Sequence, residues 1–147
     1  MPRRNAVCEG TIGCAARRSL KVLIIDDNEM MRMALRMTIQ SDAYDVVGDA
    51  SCAKTGIEQI DKLQPDIICL DVHMPNGNGL ELLAQIKQTL PQTVVLMITS
   101  SNDAQTVQAA VRGGADGFII KPFKAGTVLD VLQKSTAPLR ARQGQPF

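Results

Sequence analysis

The sequence predicts an α/β fold in which helices cover both faces of a five-stranded parallel sheet, a doubly wound (βα)5 arrangement. Short apolar runs rich in β-branched residues alternate along the chain with segments of helical periodicity. The runs are apolar throughout rather than alternating, which is typical of strands buried on both faces. Right-handed crossovers between parallel strands then place helices on both sides of the sheet.

Five apolar runs are predicted to form the strands. In chain order they are residues 21–25, 45–48, 66–70, 93–98 and 117–120. Segments with helical spacing lie between and after them, and these predict five helices. In chain order the helices are residues 30–40, 53–63, 79–89, 103–112 and 125–134.

The helices show one apolar face each and recognisable ends. In the first helix the apolar face comprises Met31, Leu35, Thr38 and Ile39. Arg32 and Arg36 are turned away from that face. The pair Gly113 and Gly114 follows the fourth helix and predicts its C-terminal end, because glycine tolerates the left-handed conformation that terminates many helices.

The chain length suits one domain with a substantial core. The sequence has 147 residues, is 45% hydrophobic and contains one Tyr, three Phe and no Trp, so the core is aliphatic. We assign residues 20–135 to this domain. Residues 1–19 lack periodicity and are expected to form a disordered N-terminal extension. Residues 136–147 contain two prolines and a glycine and are expected to form a tail or linker.

Charge and hydropathy narrow the range of partners and compartments. Residues 1–20 carry four Arg and one Glu, whereas residues 21–134 carry 10 basic and 14 acidic residues. A net negative domain disfavours direct nucleic-acid binding, which relies on clustered Lys and Arg. No apolar run approaches the roughly 20 residues that span a bilayer, and we expect no membrane contact and a cytoplasmic protein. Four cysteines, one of them inside an apolar strand, are predicted to be free thiols.

Three aspartates follow or close two of the predicted strands. Asp26 and Asp27 directly follow the first predicted strand, and Asp71 directly follows the third. In doubly wound sheets, ligands bind outside the carboxyl ends of the strands. Three crowded carboxylates repel one another, unless they hold a divalent cation or one of them acts as a nucleophile in phosphoryl chemistry. Taken alone, each site is better explained structurally, with Asp26 and Asp27 capping a helix and Asp71 turning a loop; taken together, the sites favour a role in cation binding or phosphoryl chemistry. No GxGxxG follows the first strand, which disfavours a dinucleotide site.

Two further strand ends supply complementary groups. The fourth strand leads into Thr99, and the fifth leads into Lys121. We expect Asp26 and Asp27 to hold the cation and Asp71 to attack phosphorus. Thr99 would donate to the transferred phosphoryl oxygens, while Lys121 and the metal would offset their negative charge. A cap role for Thr99 and a surface role for Lys121 are the alternatives.

The same residues lie in four strings that resemble signatures of the response-regulator receiver domain, the CheY-like phosphoacceptor of two-component signalling. The strings are VLIIDDNEMMR, PDIICLDVHMPNGNGLELL, VVLMITSS and GADGFIIKPF. Together they extend over nearly all of residues 21–134. The resemblance implies the flavodoxin/CheY-like strand order 2-1-3-4-5.

The resemblance also implies a role for each residue. Asp71 would accept a phosphoryl group from a histidine kinase or phosphotransfer protein. Mg²⁺ would be held by Asp26, Asp27, Asp71 and the backbone carbonyl of His73. Thr99 and Lys121 would be the switch hydroxyl and the phosphate-pairing lysine, and the Lys121–Pro122 bond would be cis. The catalysis is self-directed, so we do not expect an enzyme that turns over an external substrate.

Signalling output is expected through a surface of the fourth helix, the fifth strand and the fifth helix. The resemblance assigns Phe118 as the switch aromatic; it lacks the hydroxyl of the Tyr often found there and can switch by packing alone. That face would contact an unknown downstream protein, or a second copy in a homodimer. We also hypothesise that the His73 side chain affects the lifetime of phosphorylated Asp71, although a solvent-facing loop role explains this residue equally well.

Two alternatives remain at the level of the sequence. The chain is a receiver excised from a larger regulator, such as a DNA-binding transcription factor, or it is a Mg²⁺-dependent phosphatase with Asp71 as nucleophile. Such a phosphatase usually carries a second carboxylate two residues later, and His73 occupies that position here.

Overall fold

The structure is a computed structural model and describes residues 19–74, 77–100 and 104–142. Five strands form the main sheet: β1 (Leu20–Ile25), β2 (Tyr44–Ala50), β3 (Ile67–Asp71), β4 (Val94–Thr99) and β5 (Gly117–Ile120). Five helices connect and follow them: α1 (Glu29–Ile39), α2 (Ala53–Leu63), α3 (Gly79–Thr89), α4 (Ala104–Arg112) and α5 (Ala125–Arg142).

All neighbouring strands of this sheet pair in parallel, in the order β2-β1-β3-β4-β5. The predicted doubly wound α/β fold and its strand order are therefore confirmed. The first strand pairs on both sides, with β2 and with β3, so the order reverses at β1. Ligand sites of open α/β sheets lie at this reversal, outside the carboxyl ends of the strands.

Alternate residues of the strands supply two apolar layers. On one face, Val22 and Ile24 of β1 belong to a cluster with residues of α1 and α5. On the other face, Leu23 and Ile25 belong to a cluster with residues of α2, α3 and α4. Because both faces are covered, residues 22–25 of β1 and 67–70 of β3 form unbroken apolar runs.

The end of α4 is built as the Gly113-Gly114 pair predicts. Gly114 has a φ of 100°, and its N–H donates to the Val111 carbonyl at 3.1 Å. The Ala115 N–H donates to the Ala110 carbonyl at 3.0 Å. This pair of bonds is the Schellman arrangement, which requires a left-handed residue where Gly114 lies.

The last helix continues eight residues beyond its predicted end at residue 134, so that prediction is wrong. Residues 136–142, expected to be tail or linker, lie in α5. The prolines and the glycine of residues 136–147 had indicated a tail or linker. Pro138, however, removes only one N–H donor from the helix, and the carbonyl left without it belongs to solvent-exposed Lys134. Thr136 and Leu139 are buried, and Leu139 packs in the α1–α5 cluster, which stabilises the extra turns. The division of the chain into three regions stays a prediction, and residues 1–18 lie outside the described residues.

Two short strands after β3 were not predicted. Residues His73–Met74 pair antiparallel with Gly77–Asn78, in register His73 to Asn78 and Met74 to Gly77. Two-residue strands carry too little periodicity to be recognised in a sequence. Residues 75 and 76 and the predicted helix start at residue 103 lie outside the described residues.

Candidate functional site

The carboxyl ends of four strands lie level with one another, and this brings the predicted site residues together. Ile25 of β1 is in register with Leu70 of β3, and Asp71 is in register with Ile98 of β4. Thr99 is in register with Ile120 of β5. Asp26, Asp71, Thr99 and Lys121 consequently emerge at one edge of the sheet. These residues are far apart in the sequence, and parallel strand pairing brings them together, as expected from their position at strand ends.

Asp26 is almost fully buried, and its backbone and side-chain polar groups are hydrogen-bonded. Its N–H donates to the Ala50 carbonyl at 3.0 Å, which continues the β1–β2 pairing. The carboxylate accepts from the Asn28 N–H at 2.9 Å through Oδ1 and from Lys121 Nζ at 3.1 Å through Oδ2. Asn28 in turn caps α1, because its side chain accepts from the Met31 N–H. The turn after β1 is thus ordered from both ends.

Asp27 is exposed and completes the acidic cluster. One carboxylate oxygen each from Asp26, Asp27 and Asp71 lies within 4.8 Å of the others. Within the described part of the chain, the Asp27 carboxylate makes no hydrogen bond or ion pair. Its position depends on the backbone of the turn alone.

Asp71 is the last residue of β3 and is only 4% exposed. The following residue, Val72, donates its N–H to the Ile98 carbonyl at 3.1 Å and accepts from the Gly79 N–H at 3.0 Å. Gly79 packs directly on this backbone: a Cβ there would lie 2.8 Å from the Cα of Val72 and closer still to the Asp71 carbonyl oxygen. The carboxylate is therefore placed by a rigid backbone with helix α3 pressed against it.

Lys121 connects the two buried carboxylates. Its Nζ lies 3.1 Å from Asp26 Oδ2 and 3.8 Å from Asp71 Oδ1, and its side chain is 16% exposed. The Lys121 N–H donates to the Thr99 carbonyl at 2.8 Å, which extends the β4–β5 pairing by one residue. Thr99 itself is 1% exposed. The Lys121–Pro122 bond is cis, as the resemblance implies.

The donor set fits a hard divalent cation. Mg²⁺ and Ca²⁺ prefer oxygen ligands, and carboxylates are the protein ligands that Mg²⁺ uses most. In their formal charge states, the three carboxylates exceed the single ammonium of Lys121 by two negative charges. Two of the carboxylates are buried, where uncompensated like charges are costly. A divalent cation would balance this charge.

The remaining predicted residues lie near this site. Phe118 is half-buried on β5, in register with Met97, and packs against the cluster beneath α2, α3 and α4. It is therefore on the α4 side of the sheet. The backbone of His73 is two residues beyond Asp71 and pairs with Asn78. The His73 side chain lies outside what the structure describes.

Arg32 is a contact of this site that the sequence did not reveal. It was assigned to the side of α1 turned away from the core, but its side chain is only 16% exposed. Its Nη1 donates to the Asp26 carbonyl at 2.7 Å, and its Nε lies 3.8 Å from Asp49 Oδ2. A cation in the first turns of a helix is disfavoured by the helix dipole, and this is the signal that marks Arg32 as unusual.

Other chemically active groups of the described chain lie elsewhere. Cys52 and Cys69 are free, as predicted, while Cys8 and Cys14 lie outside the described residues. Hydrogen bonds from Thr55 at the start of α2 lower the pKa of the Cys52 thiol. A groove of about 300 Å³ between α2 and α3 contains none of the acidic residues named above. Among the described helices, none is long and apolar enough to cross a membrane.

Comparisons with known proteins place this geometry in context. The family model of the response regulator receiver domain matches residues 22–133. The chemotaxis protein CheY of Listeria monocytogenes is 37% identical over 116 residues, which cover 79% of this chain and 98% of that protein. The response regulator protein VraR of Staphylococcus aureus is 37% identical over 120 residues, covering 80% of this chain but 57% of that protein.

Solved structures show the same likeness. The response regulator domain of Thermotoga maritima CheB superposes with a TM-score of 0.71 at 34% identity, over 82% of this chain and 98% of that one. The chemotaxis protein CheY4 of Vibrio cholerae gives a TM-score of 0.75 at 29% identity, over 80% of this chain and 98% of that one. The matched region contains every element of the site described above.

Proposed function

The chain belongs to the family of response regulator receiver domains, and on this premise we propose that it is a phosphorylation-controlled signalling switch with Asp71 as phosphoacceptor. The donor is the phosphohistidine of a sensor histidine kinase or phosphotransfer protein. One observation carries the proposal: three carboxylates and the Lys121 ammonium meet at one edge of the sheet, with Nζ 3.1 Å from Asp26 and 3.8 Å from Asp71.

Asp71 is suited to the role of nucleophile because its carboxylate is placed by a rigid strand end. A carboxylate oxygen of Asp71 forms a bond to phosphorus while the P–N bond of the phosphohistidine breaks, and the departing imidazole keeps the electron pair and takes up a proton. The product is an acyl phosphate on Asp71. Positioning and charge stabilisation supply most of the catalysis in such transfers.

The residues around Asp71 divide the work of stabilising the transferred group. Mg²⁺ would be held by Asp26, Asp27, Asp71 and the backbone carbonyl of His73, and when bound it would neutralise charge on the phosphoryl oxygens. Lys121 already contacts both buried carboxylates and would donate to a phosphoryl oxygen. Charge-assisted bonds of this kind are among the stronger ones in proteins. The Thr99 hydroxyl would donate to a second oxygen.

Output would follow from the position of β5 beside this site. Thr99 and Phe118 lie on adjacent strands, so a new bond at Thr99 would alter the packing of Phe118 beneath α4. Each of the three elements of the proposed face carries an exposed large apolar side chain: Val111 in α4, Ile120 in β5 and Leu129 in α5. A downstream protein or a second copy in a homodimer would bind there.

The architecture of the whole regulator belongs to this proposal. The CheY relative is matched over nearly its whole length, whereas VraR extends well beyond the matched part. We propose output either through a separate partner or through an attached effector domain, since relatives of both lengths match this chain. We propose that the chain assists its own phosphorylation and dephosphorylation and does not turn over an external substrate. We place the protein in the cytoplasm, without direct nucleic-acid or membrane contact by this domain.

The test is phosphorylation by acetyl phosphate followed by intact-mass measurement. With Mg²⁺, the wild-type protein should gain the mass of one phosphoryl group, and hydroxylamine should remove it because the bond is an acyl phosphate. Chelation of Mg²⁺ should suppress the gain. Asp71→Asn should abolish it, while Asp61→Asn, on the exposed side of α2, should leave it unchanged. Labelling that survives in Asp71→Asn, or none in the wild type, would contradict the proposal.

A further inference from the structure

Arg32 connects the acidic turn after β1 to the neighbouring strand β2. Its Nη1 donates to the Asp26 carbonyl at 2.7 Å, and its Nε lies 3.8 Å from Asp49 Oδ2 near the end of β2. The Asp26 carbonyl belongs to the peptide group that joins Asp26 to Asp27. A short hydrogen bond from a largely buried guanidinium therefore fixes the plane of that peptide group.

The two aspartates differ in what holds their carboxylates. Asp26 is bonded through its N–H and both carboxylate oxygens, to Ala50, Asn28 and Lys121. The Asp27 carboxylate is exposed and, among the described residues, has no bonding partner. Only the backbone directs it toward Asp26 and Asp71. The Asp26–Asp27 peptide group, which Arg32 holds, is thus the restrained group directly before the Asp27 side chain.

Charge alone does not account for Arg32. A cation in the first turns of α1 opposes the helix dipole, and a cation beside a divalent-cation site repels the ion that the site would bind. The guanidinium pairs with Asp49 instead of the three site carboxylates; in the described chain, no contact between Arg32 and those carboxylates falls within ion-pair distance. Its bond to the Asp26 carbonyl is therefore its direct link to the site.

We propose that Arg32 is a positioning residue for the divalent cation: by fixing the Asp26–Asp27 peptide, it holds the Asp27 carboxylate where the cation is bound. This inference rests on the cation site of the proposed function and assigns a residue beyond its ligands. Asp49 orients the guanidinium, and Arg36 shares the same Asp49 oxygen at 3.3 Å from the next turn of the helix. Residues that orient metal ligands from outside the site commonly change metal affinity by about tenfold or more when removed.

The test compares Arg32→Met with Arg36→Met. Both remove one guanidinium that pairs with Asp49, but only Arg32 contacts the acidic turn. The Mg²⁺ dissociation constant is measured from amide chemical shifts during a Mg²⁺ titration, and thermal unfolding without Mg²⁺ reports on folding. We expect about tenfold weaker Mg²⁺ binding in Arg32→Met. In Arg36→Met we expect a change within about twofold. The Asp27 amide should also shift in metal-free Arg32→Met only.

Arg32 has two opposing effects on Mg²⁺ affinity: its charge weakens binding, whereas its positioning of Asp27 strengthens binding. The direction in which affinity changes therefore decides between them. If charge were its only contribution, Arg32→Met would bind Mg²⁺ more tightly than the wild type; equal or tighter binding therefore overturns the inference. Arg32→Lys keeps the charge but offers a single ammonium that cannot reach both partners, so binding about threefold weaker is expected. If Arg32→Met fails to fold, unchanged binding in Arg32→Lys overturns the inference. If the amide shifts of the wild-type protein do not change with Mg²⁺, the proposed cation site is wrong, and this inference is wrong with it.

Discussion

At the scale of single residues, burial sets the chemistry of Cys69. This residue lies in β3 and is fully buried between the two apolar layers. Burial raises the pKa of the Cys69 thiol from the ordinary 9.0 to about 12, because the thiolate would lose its hydration without gaining a partner. The thiol is therefore neutral and unreactive in the folded protein, in contrast to the more exposed Cys52.

The pH dependence of unfolding follows from this thiol. Up to about pH 9 it is protonated in both states and has no effect, whereas above that pH the unfolded thiol ionises and the folded one does not. The free energy of unfolding should therefore fall between about pH 9 and pH 11 by about 2 kcal/mol more in the wild type than in Cys69→Ala. Denaturant titrations at several pH values measure this difference. Parallel curves for the two proteins would show that Cys69 does not contribute.

Residue by residue, the sequence predicted the positions of strand-end groups but not the contacts made from within a helix. Asp71 and Thr99 could be placed at one edge because parallel strands carry their ends to the same side. Arg32 could not, because helical periodicity assigns it only to a polar side of α1. Which polar side faces β2 depends on how α1 packs on the sheet, and that is set by the tertiary structure.

At the scale of elements, the junction of β3 and α3 shows how closely a helix can be pressed against a site. Gly79 begins α3 and lies against the backbone of Asp71 and Val72. Since backbone atoms surround it, a methyl group there cannot be accommodated by a side-chain rotation. A glycine is required at this position by close approach and not by backbone conformation, because the φ of Gly79 lies outside the left-handed region.

Replacing Gly79 with alanine should destabilise the fold and slow phosphorylation. We expect a loss of about 2 kcal/mol in the free energy of unfolding, because α3 or the Asp71 peptide must move. The matched control is Gly126→Ala in α5, where no atom lies within 4 Å of the added Cβ apart from the two neighbouring residues and the backbone of its own helix. There alanine should be neutral or stabilise by up to about 1 kcal/mol, since it favours helix. Equal stability of the two variants, by thermal unfolding, would refute the packing account.

Element boundaries were predicted least well where tertiary packing overrides local signals. Pro138 is a strong local indication of a helix end, yet α5 passes through it because Leu139 packs in the core beyond. The strands β1 and β3 were predicted within one residue, since an unbroken apolar run is required where a strand is buried on both faces. The strand order came from the family resemblance, because periodicity does not specify which strands are neighbours.

At the scale of the whole molecule, the acidic edge couples ligand binding to folding. The sheet holds three carboxylates together against their mutual repulsion, and the Lys121 ammonium offsets part of their charge. A cation that binds this arrangement but not the unfolded chain must stabilise the fold. At a concentration ten times its dissociation constant, the gain in the free energy of unfolding is about 1.4 kcal/mol.

Asp27→Asn tests whether cation binding stabilises the fold without disturbing the core, because Asp27 is the exposed member of the cluster. Without Mg²⁺ the variant should be as stable as the wild type or more stable, since one repelling charge is gone. The Mg²⁺-dependent rise in Tm should largely disappear, because one of the proposed cation ligands is removed. Asp61→Asn, remote on α2, should keep the full rise, and NaCl at matched ionic strength should not reproduce it. A full Mg²⁺-dependent rise in the Tm of Asp27→Asn would exclude Asp27 as a ligand. It would then also exclude the proposal that the turn after β1 contributes to stabilisation of the fold by the cation.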